Sequence, residues 1–108
     1  MISKIKIPAE LNCAENVGQA VGELFEAHLK HPKFCDAFTQ LTKEQAVYIE
    51  RMLKKENAPS RKQFADKILL EEIAEARTAW LEGNKKHCKQ ELAQCVAVCL
   101  RMMAMCDK

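Results

Sequence analysis

LLEEIAEARTAWLEGNKKHCKQELAQCVAVCL, residues 69–100, reads as two amphipathic helices joined by a Gly-Asn turn, and this reading decides the fold class. At 100° per residue, Phe64, Ile68, Glu72, Glu75 and Ala79 share one face of the first helix. Leu69, Ile73, Ala76 and Trp80 form a second apolar stripe beside it. Glu72 and Glu75 thus interrupt an apolar face, and Glu71 flanks it. On the second helix, His87, Glu91, Gln94, Val98, Met102 and Met105 share a face. The short turn makes the two helices antiparallel neighbours. Glu75 lies about as far before the turn as Glu91 lies after it, so the two polar pairs can meet at similar height. Carboxylates gathered in a poorly hydrated space cost on the order of several kcal/mol unless they are protonated or paired. A divalent cation removes that cost, and an all-oxygen ligand set favours Mg²⁺, Mn²⁺ or Ca²⁺ over zinc. The competing reading is a solvated acidic face with salt bridges to Lys67 or Lys85.

Outward from this hairpin, capping boxes announce three helix starts at Asn12–Glu15, Thr42–Gln45 and Ser60–Gln63. They predict helices over about 13–30, 43–57 and 61–82, the last closed by Gly83-Asn84, and a final helix follows over about 85–106. Pro32 suits the first turn of a short helical piece over 33–40. Residues 1–11 read as an N-terminal arm, since a lone alternating segment finds no strand partner. The expectation is one all-α domain, residues 1–108, of about four main helices. With 48% hydrophobic and 30% charged residues but only 3 Gly and 3 Pro, the composition points to a helical globular chain and away from disorder. A net charge of +2 gives no ground for expecting nucleic acid or membrane binding. No apolar stretch reaches membrane-spanning length and MISKIKIPAEL lacks the apolar run of a signal peptide, so the expected location is cytoplasmic. Cys88, Cys95, Cys99 and Cys106 recur in steps that place them on one helical stripe with Leu92 and Met102 between them. Spread along one helix, they cannot pair with each other, and they are expected to pack as reduced thiols. Several apolar stripes on so short a chain predict a homo-oligomer.

E-E-x-x-E on one helix, followed after a short turn by E-x-x-D on the next, is the signature of the MazG-like all-α nucleoside triphosphate pyrophosphatases. This chain resembles that family over residues 60–106, with Glu71-Glu72-Ile73-Ala74-Glu75 and then Glu91-Leu92-Ala93-Gln94. The resemblance implies Mg²⁺ (or Mn²⁺) held by Glu72, Glu75, Glu91 and Gln94, with Glu71 orienting or deprotonating the attacking water. Gln94 stands where the family pattern has Asp, which removes one charge from the set. A branch of MazG-like sequences, many from phages, is similar in carrying E-L-x-Q here. The family forms dimers or tetramers and converts a nucleoside triphosphate into the monophosphate and pyrophosphate. Basic side chains must hold the triphosphate, and the candidates are Lys54, Lys55, Arg61, Lys62, Lys85, Lys86 and Lys89. Trp80 is a candidate for stacking on the base. Each of these is also explained as surface charge or, for Trp80, as core.

Other readings carry less. A ferritin-like di-iron site wants E-x-x-H on two helices, and neither motif ends in His. His28, His31 and Cys35 have helical spacing that Pro32 interrupts. The serious rival is a non-catalytic helical module for oligomerisation or partner binding, and Gln94 is the residue that favours it.

Overall fold

The structure is a computed structural model that describes residues 14–31, 33–58 and 63–108, with side chains from Gly22 onward. Among these residues four helices follow in order: α1 (Ala14–Lys30), α2 (Lys43–Asn57), α3 (Ala65–Leu81) and α4 (Lys85–Cys106). The described residues contain no strand, so the all-α expectation holds at that level. The predicted arm over 1–11 and the caps at Asn12 and Ser60 lie outside the described residues.

Each helix boundary has a local cause. At α2, Thr42 Oγ1 accepts from Gln45 N–H at 3.1 Å while Gln45 Oε1 accepts from Thr42 N–H at 2.9 Å, so the predicted capping box is present. α3 starts later than predicted. Phe64 is extended, and its carbonyl accepts the first helical bonds from Lys67 and Ile68 at 3.1 Å each. Asp66 Oδ1 takes the Lys67 N–H at 2.9 Å, placing a carboxylate among the free donors of the first turn. The short helix predicted over 33–40 does not form; these residues run irregularly. A piece of that length gains too few bonds to offset nucleation, and Asp36 Oδ1 instead takes the adjacent Ala37 N–H at 2.6 Å.

The α3–α4 turn fits its sequence closely. Gly83 adopts φ +80°, the left-handed conformation that glycine reaches without Cβ strain. Gly83 N–H then bonds Trp80 O at 3.1 Å and Asn84 N–H bonds Ala79 O at 2.9 Å, the paired bonds of a Schellman stop. Asn84 also opens α4, since its Oδ1 accepts from His87 N–H at 3.1 Å and its carbonyl accepts from Cys88 N–H at 3.0 Å.

The described residues divide into two compact units, one within 36–99 and one combining those before 36 with 100–108. In the first, α2 packs on α3 and α3 packs on the early turns of α4. Its buried apolar residues are small: Ala46, Ala74, Ala76, Ala79, Cys88 and Cys95. Phe38, Trp80 and Leu92 cover the Ala76–Ala79–Cys88 cluster, with the Phe38 and Trp80 ring centroids 5.7 Å apart. On the helical wheel α3 buries two arcs. Ala74 and Thr78 lie on the arc shared with Glu71, and Ala76 and Ala79 lie on the arc shared with Glu72. Glu75 falls between the two arcs. Ile73, predicted on an apolar stripe, lies outside both and is 39% exposed beside the exposed Leu70. In the other unit, α1 leaves Leu24, Phe25 and Leu29 exposed. No described helix is long and apolar enough to cross a membrane.

The cysteine stripe divides along α4. Cys88 and Cys95 are buried as expected, but Cys99 and Cys106 are exposed. A shared helical phase therefore does not by itself decide burial along the stripe. Cys35, Cys88, Cys95, Cys99 and Cys106 are free thiols.

Candidate functional site

The position of Glu75 between the two buried arcs of α3 organises the site. From there it reaches α2 on one side and α4 on the other. One ligand oxygen each from Glu72, Glu75 and Glu91 lie within 4.8 Å of one another. Glu72 and Glu75 are half-buried, and the Glu91 side chain is only 8% exposed. Glu91 Oε2 is buried without a hydrogen-bond partner. A buried acceptor of this kind is costly.

The basic partners of this cluster are specific. Lys54 Nζ lies 3.1 Å from Glu75 Oε1 and 3.1 Å from Glu50 Oε2, bridging successive turns of α2 to the acids of α3. His87 Nε2 lies 3.7 Å from Glu91 Oε1, one turn away on α4. Burial, reinforced by hydrogen bonding to Glu91, pushes the Glu75 carboxyl above the ordinary range, although Lys54 opposes the shift. Burial first, and then Glu72, push Glu91 up as well. The bond to Glu50 holds Lys54 more firmly protonated than a free lysine. Glu50, Lys54, Glu75, Thr78, Ala79, Glu82, His87 and Glu91 line a cavity of about 280 Å³.

Gln94 is exposed at the edge of this cluster. In the orientation that satisfies both groups, its amide nitrogen donates to Glu72 at 2.6 Å (Oε2) and 3.3 Å (Oε1). Glu71 faces elsewhere. Its Oε1 accepts from Asn57 Nδ2 at 2.8 Å, and Asn57 also donates to Lys67 O at 3.4 Å. Glu71 and Asn57 line a second cavity of about 450 Å³ with Lys54, Glu56, Ala58, Gln63, Phe64, Lys67 and Ile68.

The remaining candidates scatter. Lys55, Lys86 and Lys89 are exposed and line neither of these cavities. Lys85 Nζ sits 4.3 Å from the Trp80 ring centroid, so one face of the indole meets a cation while Phe38 packs on the ring. Arg61 and Lys62 lie outside the described residues. The salt bridges of the solvated-face reading do not form as expected, because Lys67 pairs with Glu56 at 3.9 Å and Lys85 covers Trp80. Sequence reasoning missed Asn57 and His87 as partners of the acids, and Glu50 as the second partner of Lys54. His87 could have been found, since it stands four residues before Glu91 on the same helical face. Glu50 could have been found too, since it stands four residues before Lys54 on α2, whereas Asn57 carries no such signal, because its role depends on how α2 packs against α3.

The cluster's all-oxygen, carboxylate-rich donor set and the unpartnered Glu91 Oε2 fit a hard divalent cation. Glu72, Glu75 and Glu91 would hold it. Comparison with protein-family models, with curated proteins and with solved structures finds no match for this chain.

Proposed function

We propose that this chain is an Mg²⁺- or Mn²⁺-dependent nucleoside triphosphate pyrophosphohydrolase of MazG-like type, working as a homo-oligomer. The observation that carries the reading is the convergence of Glu72, Glu75 and Glu91 across α3 and α4, with Glu91 Oε2 buried and unpaired. A bound Mg²⁺ supplies neutralisation of the phosphate oxygens. The chain's own residues do the rest. Glu71, tethered by Asn57, orients the water and takes its proton as the new P–O bond forms and pyrophosphate leaves. Lys54 and Lys67, on the wall of the 450 Å³ cavity, hold the triphosphate by charge. The test is pyrophosphate release from a panel of nucleoside triphosphates with Mg²⁺ or Mn²⁺. Release of monophosphate and pyrophosphate that stops on adding EDTA supports the reading; no release from any nucleotide overturns it.

A second reading, a non-catalytic helical module for oligomerisation or partner binding, is favoured by Gln94. Its amide donates to Glu72, and an amide in place of a carboxylate lowers the charge available to a cation. A silent nucleotide panel together with a stable oligomer favours this reading.

A further inference from the structure

We propose that Lys54 is the resident counter-ion of the acid cluster, and that a divalent cation binding to Glu72, Glu75 and Glu91 displaces its ammonium from Glu75. The inference rests on the cation reading above and adds where the Lys54 ammonium, assigned there to the triphosphate, sits before and after the cation binds. Its basis is geometric. Lys54 Nζ is bonded at 3.1 Å to Glu75 Oε1, one of the carboxylates that converge on the cluster. Two positive charges drawn to one carboxylate repel each other, so occupancy by one weakens the other. Lys54 keeps a second anchor, Glu50 Oε2 at 3.1 Å on its own helix, so it can leave Glu75 without losing every partner. It also lines both the acid cavity and the 450 Å³ cavity beside it, and the released ammonium has open space next to its present position. The buried, unpartnered Glu91 Oε2 gives the incoming cation a partner that Lys54 does not serve. The lysine therefore serves as an exchangeable charge, satisfying Glu75 until a divalent cation arrives.

The experiment uses the full chain with EDTA or with saturating Mg²⁺, and calorimetry reads cation binding independently. Amine-selective acylation followed by peptide mass mapping reads each lysine, with Lys55 as the internal reference. The expected result is that Mg²⁺ raises the labelling rate of Lys54 several-fold and leaves Lys55 unchanged. In parallel, Lys54→Met should lower Tm in EDTA, and the difference from wild type should vanish in Mg²⁺. A lysine that merely packs against α3 would cost the same Tm in both conditions. Binding heat with unchanged Lys54 labelling overturns this inference and leaves the cation reading standing. No binding heat removes both.

Discussion

Glu91 and Glu75 look equivalent in the sequence, yet their surroundings make them behave differently. Glu75 has an ammonium at 3.1 Å, whereas Glu91 has His87 at 3.7 Å as its basic neighbour, carboxyls beside it and one oxygen with no partner. Removing charge at Glu91 therefore relieves a cost, and removing it at Glu75 also breaks an ion pair. Glu91→Gln should stabilise the cation-free protein by about 1–2 kcal/mol and abolish any Mg²⁺-dependent rise in Tm. Gln94→Asp should tighten Mg²⁺ binding roughly tenfold, since it restores a carboxylate beside Glu72. Titration calorimetry and thermal melts check both. The pH dependence follows from the raised carboxyls of Glu75 and Glu91. A carboxyl raised by folding binds protons more readily in the folded chain. Its penalty is full at neutral pH and is relieved as pH falls through the folded value towards the unfolded one. Cation-free protein should thus gain stability from these groups as pH falls from neutrality towards the ordinary carboxylate range, and Glu91→Gln should flatten that slope. Melts in EDTA across this range measure it. The motif acids were legible because helical phase and turn position are sequence properties. Lys54 was legible as a basic group, but its bond to Glu75 was not, because that bond depends on the packing of α2 against α3.

At the level of elements, helix boundaries were readable where the chain carries its own hydrogen-bonding groups. Thr42 and Gln45 cap each other, and Gly83 with Asn84 closes α3 and opens α4. The start of α3 and the irregular run over 33–41 were not readable, since Asp66 and Asp36 satisfy neighbouring backbone groups that the pattern left open. Ile73 shows the same limit. Periodicity placed it on a stripe, but α3 is buried along two arcs that it misses. The cysteines give a direct check of packing along α4. Burial pushes the thiols of Cys88 and Cys95 up, so both are less reactive as well as less accessible. Timed alkylation of the native protein should modify Cys35, Cys99 and Cys106 well before Cys88 and Cys95, and mass mapping of the peptides reads the order.

At the scale of the whole molecule, the limited size of the buried side chains becomes important. Cys88 is the largest side chain that is fully buried among the described residues. Meanwhile Tyr48, Met52, Phe64, Leu70 and Val96 are exposed in one unit, and Leu24, Phe25 and Leu29 in the other. Apolar side chains in such number favour association, since each contributes about 1.5–3 kcal/mol when fully buried. The protein is expected to be a homo-oligomer at micromolar concentration. Light scattering coupled to size exclusion should give at least twice the chain mass of 12.3 kDa, and a monomer would refute the expectation.

The turn at Gly83 and Asn84 also acts as a ruler. Because Asn84 both ends the hydrogen bonding of α3 and begins that of α4, there is no slack chain between Glu75 and Glu91. One residue inserted into the first turn of α4, ahead of Glu91, would rotate everything beyond it by about 100° and advance it by about 1.5 Å. Glu91 would then leave the cluster while both helices remained intact. The separation of two acids along the chain is in effect a distance in space, and an indel near this turn would cost cation affinity together with the packing of Cys88 and Leu92 against α3.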